Sequence, residues 1–399
     1  MTEKKPASKT PWILGVVAAG VVIALFAIPP SRPATGTRIA QPVVEDAGVG
    51  AEAGETLPAT YHGERFLMGT TWEITISGVD GGNEARARTT VEAAFDEIDR
   101  LENLLSEWRP ETEISRVNDA AGIAPVHIGP ELMTCVKTSL AVARWSDGAF
   151  DISWAALRGL WNFGPNAEHV PPSEAAVRAK LPLWNYRNIV LDEQASTLFL
   201  RQRGMAIGLG GVAKGYGLDR ASDILVRAGF NDFIMSSGGQ VLAHGRRGAR
   251  AWRVGIRHPR RDTYFAFLEV PNGGSVSTSG DYEHSFEYQG QSFHHIIDPH
   301  TGFPSRSSSS VTLFAPTGLA ADAVDTAAFI LGAARAIPLL QTAPGGPMEG
   351  VFVDTDMRLF ATPGTERRLV MRARLDETHH LGESFTGNVD AGATPPLTP

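Results

Sequence analysis

The alternation of apolar and polar positions along the chain predicts both strands and helices. Residues 71–77 (TWEITIS) alternate as a half-buried strand does. Residues 84–105 place apolar side chains at helical spacing among charged ones, which predicts an amphipathic helix. Residues 187–200 predict a hairpin that turns at 193–196. Further strands are predicted at 233–235, 252–256, 264–270, 309–314, 351–353 and 358–361, and a further helix at 320–331. These elements lack the regular order of a doubly wound parallel sheet.

The N-terminal pattern predicts a membrane anchor. Lys4, Lys5 and Lys9 precede residues 12–28, a run of seventeen residues without a charge. A run of this length just spans a bilayer as a helix. The lysines place residues 1–11 in the cytoplasm and the remainder outside. We therefore expect a single-pass protein of the inner (cytoplasmic) membrane with a periplasmic catalytic domain. An uncleaved or cleaved signal peptide is the alternative.

Composition separates one globular segment from the chain ends. Residues 29–60 are rich in Pro, Ala, Gly, Thr and Glu and predict a flexible linker. Residues 378–399 are polar, with Gly, Thr and Pro, and predict a disordered tail. The intervening residues 61–377 are expected to form a single domain.

Charge and cysteine content exclude several classes of function. The net charge is −8, from 36 basic and 44 acidic residues, and no basic run follows the N-terminus. This argues against a nucleic-acid partner. Cys135 is the only cysteine, so the chain has no intramolecular disulfide and no CxxC zinc site. Its position in a helical pattern predicts a buried small residue rather than a catalytic thiol.

Residues 209–221 (LGGVAKGYGLDRA) are typical of a phosphate-binding turn. Gly210, Gly211, Gly215 and Gly217 surround Lys214, and a helical pattern begins there. A glycine turn that leads into a helix N-terminus presents unpaired N–H groups to an anion. The sequence is neither a Walker loop nor GxGxxG. The alternative is a glycine-rich turn with a solvated lysine.

The segment ADAVDT (321–326) is a candidate cation site. On a helix, Asp322 and Thr326 are four residues apart and share a face, with Asp325 beside them. A carboxylate and a hydroxyl are hard oxygen ligands that suit Mg²⁺ or Ca²⁺. The alternative is a polar helix start with Asp322 near the N-cap.

Two further segments could contribute to a site. In residues 293–304 (FHHIIDPHTGFP), His295 lies at the end of a predicted strand before a turn. It is either a proton acceptor or a structural histidine. In residues 147–164, the aromatic residues Phe150, Trp154, Trp161 and Phe163 surround Asp151 and form either a stacking platform or ordinary core.

Taken together and in order, nine segments resemble the ApbE family, the FAD:protein FMN transferases. The resemblance covers residues 61–365. The segments are MGTTWEITI (68–76), LLSEWRPETEISRVN (104–118), GAFDIS (148–153), LWNFG (160–164), LGGVAKGYGLD (209–219), SGG (237–239), STSGDYE (277–283), HIIDPHTGFP (295–304) and ADAVDTAAFILG (321–332).

The resemblance implies an α+β fold, a single mixed α/β catalytic domain that binds FAD as substrate together with Mg²⁺. It implies transfer of FMN to a threonine hydroxyl of an acceptor protein, with release of AMP. The implied metal ligands are Gly211 through its carbonyl, Asp322 and Thr326. His295 is the candidate base, and Lys214 neutralises charge. The implied FAD-binding residues are Met68, Trp108, Ala149, Phe150, Asp151, Gly208, Lys214 and Ile296.

The chain departs from the family pattern at two positions. The family usually has an acid where this chain has Gly208, and another where it has Gln240. Two alternatives therefore stay open: an FAD pyrophosphatase that gives FMN and AMP, and a non-catalytic FAD-binding or redox module. The tail segment Gly392-Ala393-Thr394 resembles the end of a flavin acceptor motif, so self-modification at Thr394 is a further hypothesis. The sequence names neither the acceptor protein nor the oligomeric state.

Overall fold

The computed structural model describes residues 57–164, 167–270 and 273–372. The strands are β1 (Thr60–Leu67), β2 (Thr70–Ser77), β3 (Val126–His127), β4 (Ile189–Asp192), β5 (Thr197–Leu200), β6 (Phe233–Ser237), β7 (Gln240–His244), β8 (Trp252–Arg257), β9 (Tyr264–Val270), β10 (Gly274–Gly280), β11 (Ser285–Tyr288), β12 (Gln291–His294), β13 (Ile297–Asp298), β14 (Phe303–Pro304), β15 (Ser310–Ala315), β16 (Glu349–Val353), β17 (Leu359–Ala361) and β18 (Leu369–Met371).

Eight α-helices accompany these strands within the described ranges. They are α1 (Glu84–Leu105), α2 (Glu113–Asp119), α3 (Pro130–Trp145), α4 (Glu174–Lys180), α5 (Ala213–Arg227), α6 (Gly318–Leu331), α7 (Ala333–Ala336) and α8 (Pro363–Glu366). Short 3-10 helices cover Ile152–Leu157, Leu181–Leu183, Tyr186–Asn188 and Ile337–Thr342.

A central antiparallel sheet organises the domain. Its eight strands follow the order β1-β2-β6-β7-β10-β15-β16-β17. Two three-stranded sheets have the orders β18-β9-β8 and β3-β5-β4, and β11-β12 and β13-β14 are hairpins. Antiparallel strands with helices gathered on one face make a mixed α/β architecture.

The central sheet is buried on both faces, which explains why its inner strands lack alternating exposure. Every residue of β6 is buried. Phe233 and Met235 pack with residues of α1 and α5, whereas Ile234 packs with residues of β8 and β9 on the other face. The domain therefore has three layers: the helices, the eight-stranded sheet and the β18-β9-β8 sheet.

Helices α5 and α6 cross at a pair of glycines. A Cβ atom on Gly215 would lie 2.1 Å from the carbonyl oxygen of Gly318. The Asp219 carboxylate accepts hydrogen bonds from the N–H groups of Gly318 (2.6 Å) and Leu319 (2.9 Å). These bonds satisfy N–H groups that the first turn of a helix leaves unpaired. The contact fixes the start of α5 against the first turns of α6.

Most elements that the sequence predicts are confirmed. The strand at 71–77 is β2, the helix at 84–105 is α1 with the same bounds, and the hairpin is β4-β5. The helix at 320–331 begins earlier, at Gly318, because Thr317 caps it by accepting the Ala320 N–H. Asp322 therefore lies inside α6 rather than at its N-cap. Cys135 is fully buried, as predicted.

Several predictions concern the chain ends. The anchor at 12–28, all but the last residues of the linker at 29–60, and the tail with Thr394 lie outside the described residues. Within the ranges that the structure covers, no helix combines the length and the apolar character that crossing a bilayer requires.

Candidate active site

One cavity of about 780 Å³ is built from turns and chain segments that are distant in sequence. It is lined by the β1–β2 turn, the β6–β7 turn, the end of β10, the start of α5 and one face of α6. Its size is that of a small-molecule or cofactor site. Among the predicted site residues, those in the lining are Met68, Trp108, Ala149, Phe150, Asp151, Gly211, Lys214, His295, Ile296, Asp322 and Thr326.

Lys214 lies in the first turn of α5, as the glycine-rich segment predicts. Its Nζ donates a hydrogen bond of 2.8 Å to the carbonyl oxygen of Gly210. The same nitrogen lies 3.9 Å from Oδ1 of Asp322, and 28% of the lysine side chain is exposed. The lysine is thus held across the cavity wall rather than extended into solvent. This favours the anion-binding interpretation over a solvated lysine.

Asp322 and Thr326 project together from α6 toward the glycine turn. Oδ2 of Asp322 accepts the Gly215 N–H at 3.0 Å, and Oγ1 of Thr326 donates to the Asp322 carbonyl oxygen at 3.4 Å. A Cβ atom on Gly211 would lie 4.0 Å from that Oγ1. Burial raises the pKa of Asp322, and the Lys214 ammonium opposes this shift. The three predicted metal ligands therefore meet at one place.

Asp325 adds a second carboxylate to this wall. It is buried and accepts a hydrogen bond of 2.5 Å from the Ser277 hydroxyl. Burial and the neighbouring Asp322 carboxylate raise the pKa of Asp325 to about 7. Local spacing gave no sign of the Ser277 contact because β10 and α6 are far apart in sequence.

His295 follows β12 directly, as predicted. Its Nδ1 lies 3.0 Å from the carbonyl oxygen of Glu283. A carbonyl only accepts, so Nδ1 carries the proton and Nε2 keeps a free lone pair. The residue lines the cavity and is exposed to it, while the protein packed around the ring disfavours the charged form. This lowers the pKa of His295 to about 3, an effect that nearby His284 strengthens.

Aromatic rings form another part of the cavity lining. Trp161 stacks on Phe163 with a centroid distance of 5.8 Å, and both line the cavity. Phe150 is buried against the glycine turn, 3.0 Å from a Cβ placed on Gly211. The cluster is therefore both part of the cavity wall and part of the core.

The Asp151 side chain is engaged within the protein. It accepts hydrogen bonds from the N–H and hydroxyl of Ser153 (2.8 and 2.7 Å) and from the Tyr186 N–H (2.6 Å). Burial raises its pKa to about 6. Its carboxylate caps the 3-10 helix Ile152–Leu157, so it shapes the wall that Ala149 and Phe150 present.

Gly208 is the one predicted site residue outside the cavity lining. The Trp154 ring covers it: a Cβ atom on Gly208 would lie 2.6 Å from that ring and 3.0 Å from Oε1 of Glu107. Trp154 also donates its indole N–H to the Gly208 carbonyl at 3.1 Å. A side chain at this position has no space, which accounts for the missing acid.

Gln240, at the second departure from the family pattern, is buried at the start of β7, directly after the β6–β7 turn. Its Nε2 donates to the Gly318 carbonyl at 2.7 Å and to the Ser275 hydroxyl at 3.2 Å. A carboxylate could not donate to that carbonyl. The amide therefore ties the turn to the α5–α6 crossing.

Comparison with known proteins supports the family resemblance. The model of the ApbE family matches residues 68–349. The chain belongs to the ApbE family. It is 33% identical over 344 residues to the FAD:protein FMN transferase of Treponema pallidum, covering 82% of this chain and 94% of that protein. It is 33% identical over 276 residues to the FAD:protein FMN transferase of Klebsiella pneumoniae, covering 67% and 78%.

A solved ApbE structure has the same fold. The crystal structure of the ApbE protein of Thermotoga maritima superposes with a TM-score of 0.69 at 30% sequence identity, covering 77% of this chain and 98% of that one. ApbE membership and the shared fold explain why nine short motifs, spread over most of the globular segment, meet around one cavity.

Proposed function

We propose that this ApbE protein is an FAD:protein FMN transferase that attaches FMN to a threonine hydroxyl of an acceptor protein and releases AMP. The observation that carries the proposal is the meeting of Lys214, Asp322, Thr326 and His295 in one cavity large enough for a dinucleotide. Relatives named FAD:protein FMN transferase, at 33% identity, support it.

The residues at the α5–α6 crossing suit Mg²⁺. Asp322 lines the cavity; its Oδ1 lies 3.9 Å from Nζ of Lys214, while Oδ2 is held by the Gly215 N–H. Thr326 and the Gly211 carbonyl offer two further hard oxygens nearby. A buried carboxylate whose closest cation lies 3.9 Å away has capacity left for a metal ion. When bound there, Mg²⁺ would neutralise charge on the pyrophosphate of FAD.

The other cavity residues have separate roles in the reaction. Lys214 and the N-terminus of α5 bind the pyrophosphate, since both favour anions. The acceptor hydroxyl oxygen attacks the FMN phosphorus, and the bond from that phosphorus to the bridging oxygen breaks. AMP leaves with that oxygen and its electron pair. His295 receives the hydroxyl proton on Nε2, which is free because Nδ1 donates to Glu283.

We also propose that residues 12–28 anchor the protein in the inner membrane with the catalytic domain in the periplasm. The support is the sequence itself: an uncharged run of bilayer length that follows three lysines.

Incubating the full-length protein with FAD, Mg²⁺ and a threonine-containing acceptor protein tests the transferase proposal. Flavin that stays on the acceptor after denaturation, together with AMP in solution, is the expected result. Free FMN with AMP would instead identify a pyrophosphatase. Bound but unchanged FAD would identify a non-catalytic module. Either of these two results overturns the proposal.

Replacing His295 by glutamine should lower kcat/KM for flavin transfer by about 100- to 1000-fold, as expected for loss of a positioned base. Because the pKa of His295 in the free enzyme is lowered to about 3, the imidazole is neutral throughout pH 6–8. The deficit of His295→Gln relative to wild type should therefore be the same at pH 6 and pH 8. A deficit that shrinks at pH 6 would show that the wild-type ring is already protonated there. His300→Gln, in the neighbouring exposed turn, is the control.

A further inference from the structure

A second histidine lies beside His295 at the open end of the β11–β12 hairpin. The ladder of this hairpin ends at the pair Ser285 and His294, so His284 and His295 are the next residues on the two sides. Their rings meet edge to face, with centroids 5.1 Å apart and planes at 80°. Both residues line the cavity. His284 therefore adjoins the candidate base, although the transfer chemistry assigns it no role.

The backbone of His284 is left-handed. Its φ is 40°, in a region that few residues other than glycine adopt and in which histidine is enriched among the exceptions. Extended backbone here would continue the ladder. Instead the ladder stops at Ser285, and the carbonyl oxygen of Glu283 lies 3.0 Å from Nδ1 of His295. The peptide bond between residues 283 and 284 thus presents its oxygen to the base.

The chain is anchored on both sides of this left-handed residue. Before it, the Arg260 guanidinium donates to both carboxylate oxygens of Asp281 at 2.6 and 2.7 Å and to the Ser309 hydroxyl at 2.8 Å. After it, Ser285 pairs with His294 in the hairpin. A sparsely populated backbone conformation persists where the surrounding structure imposes it, and such positions cluster at functional sites.

The direction of the Glu283 carbonyl decides which nitrogen of His295 can act as a base. A neutral imidazole carries its proton on either nitrogen, and only the other nitrogen accepts a proton. The Glu283 carbonyl holds the proton on Nδ1, which leaves the lone pair of Nε2 for the acceptor hydroxyl. The ring of His284 adds no charge near neutral pH, since burial and the Lys214 ammonium lower its pKa.

We propose that His284 is a positioning residue for the base: its left-handed backbone aims the Glu283 carbonyl at Nδ1 of His295 and so keeps Nε2 free. The inference rests on the proposed function, because that function makes His295 the base. His284 itself takes up no proton in this account.

Nitrogen NMR of the full-length protein with ¹⁵N-labelled histidine rings tests the positioning directly. Protonated and unprotonated ring nitrogens give separate signals, and the signals missing from His295→Gln identify His295 among the 11 histidines. Wild type should carry the proton on Nδ1. His284→Asn should keep this tautomer, because asparagine tolerates left-handed backbone. His284→Val should give a mixture of tautomers, because a β-branched residue does not tolerate it.

Flavin transfer by the same variants gives an independent readout. Valine and asparagine both remove the imidazole, so the difference between them reports the backbone at 284. We expect kcat to be about 10-fold lower in His284→Val than in His284→Asn, a part of what a positioned base contributes. KM for FAD should be similar in the two variants.

The matched control is Gln289→Val, which places valine at the other left-handed residue of the hairpin, in the exposed turn (φ 52°). It should leave the His295 tautomer and kcat unchanged. A proton on Nε2 in wild type would overturn the proposal, and this measurement needs no variant. Equal tautomers and equal kcat in His284→Val and His284→Asn would also overturn it. Failure of wild type to transfer flavin would instead contradict the proposed function, while the NMR signals would still locate the proton.

Discussion

Asp322→Asn is expected to lower Mg²⁺-dependent flavin transfer by about 1000-fold, equivalent to about 4 kcal/mol of transition-state stabilisation. In the wild type, the Gly215 N–H donates to Oδ2 of Asp322 at 3.0 Å. The asparagine amide oxygen can still accept this hydrogen bond, so the α5–α6 crossing is preserved. The negative charge that would attract the cation is lost. Single-turnover rates with FAD and acceptor, measured over a series of Mg²⁺ concentrations, give the size of the effect.

The matched control is Asp223→Asn on α5, since that side chain is 60% exposed and lies outside the cavity lining. It should transfer flavin at the wild-type rate. If Asp322→Asn had unchanged turnover and an unchanged Mg²⁺ dependence, the assignment of Asp322 as a metal ligand would be wrong. Restoration of activity at high Mg²⁺ would support the assignment, because it would show weakened metal binding.

Gly215→Ala is expected to reduce both stability and activity. The added methyl group would lie 2.1 Å from the Gly318 carbonyl oxygen, 2.5 Å from its carbonyl carbon and 2.9 Å from Cβ of Asp322. Because two of these atoms belong to the backbone, α5 and α6 must move apart. We expect a loss of about 3 kcal/mol in the free energy of unfolding, measured by urea denaturation. Transfer should also fall, since Lys214 and Asp322 move with their helices.

Gly210→Ala provides the comparison within the same segment. No atom lies within 4 Å of a Cβ placed on Gly210, outside its chain neighbours, and its carbonyl would still accept from Lys214. Its stability should match that of wild type. Equal stability of Gly215→Ala and Gly210→Ala would show that the crossing tolerates a methyl group and that the helices are less tightly fixed.

Much of the fold could be predicted from local pattern. The helix α1 has one buried face, so its periodicity gave its bounds. The strand β2 alternates apolar and polar residues, and β9 is almost continuously apolar, so both strands could be predicted from the sequence. By contrast, β10 (GSVSTSG) was missed because small polar residues dominate it. They are buried there because Ser277 bonds to α6, a contact that no local pattern contains.

In the candidate site, too, local motifs reveal some residues, whereas others are brought together only by the fold. Lys214 and His295 were identified because each belongs to a short motif with its own chemistry. For the aromatic cluster, the sequence left a stacking platform and ordinary core as alternatives, and the structure shows rings that belong to both the cavity lining and the core. The contact between Glu107 and Arg158 was missed, since they are 51 residues apart in sequence, although each lies in a segment that the sequence singles out for its aromatic residues. Their relation depends on how the loop after α1 folds against the 3-10 segment.

The packing of Trp154 on Gly208 also constrains how sequences of this kind can change. A tryptophan at 154 and a side chain at 208 exclude each other, because the Cβ of the second would overlap the ring of the first. Substitutions at the two positions are therefore expected to be epistatic. An acid at 208 would fit only if the residue at 154 were smaller than tryptophan.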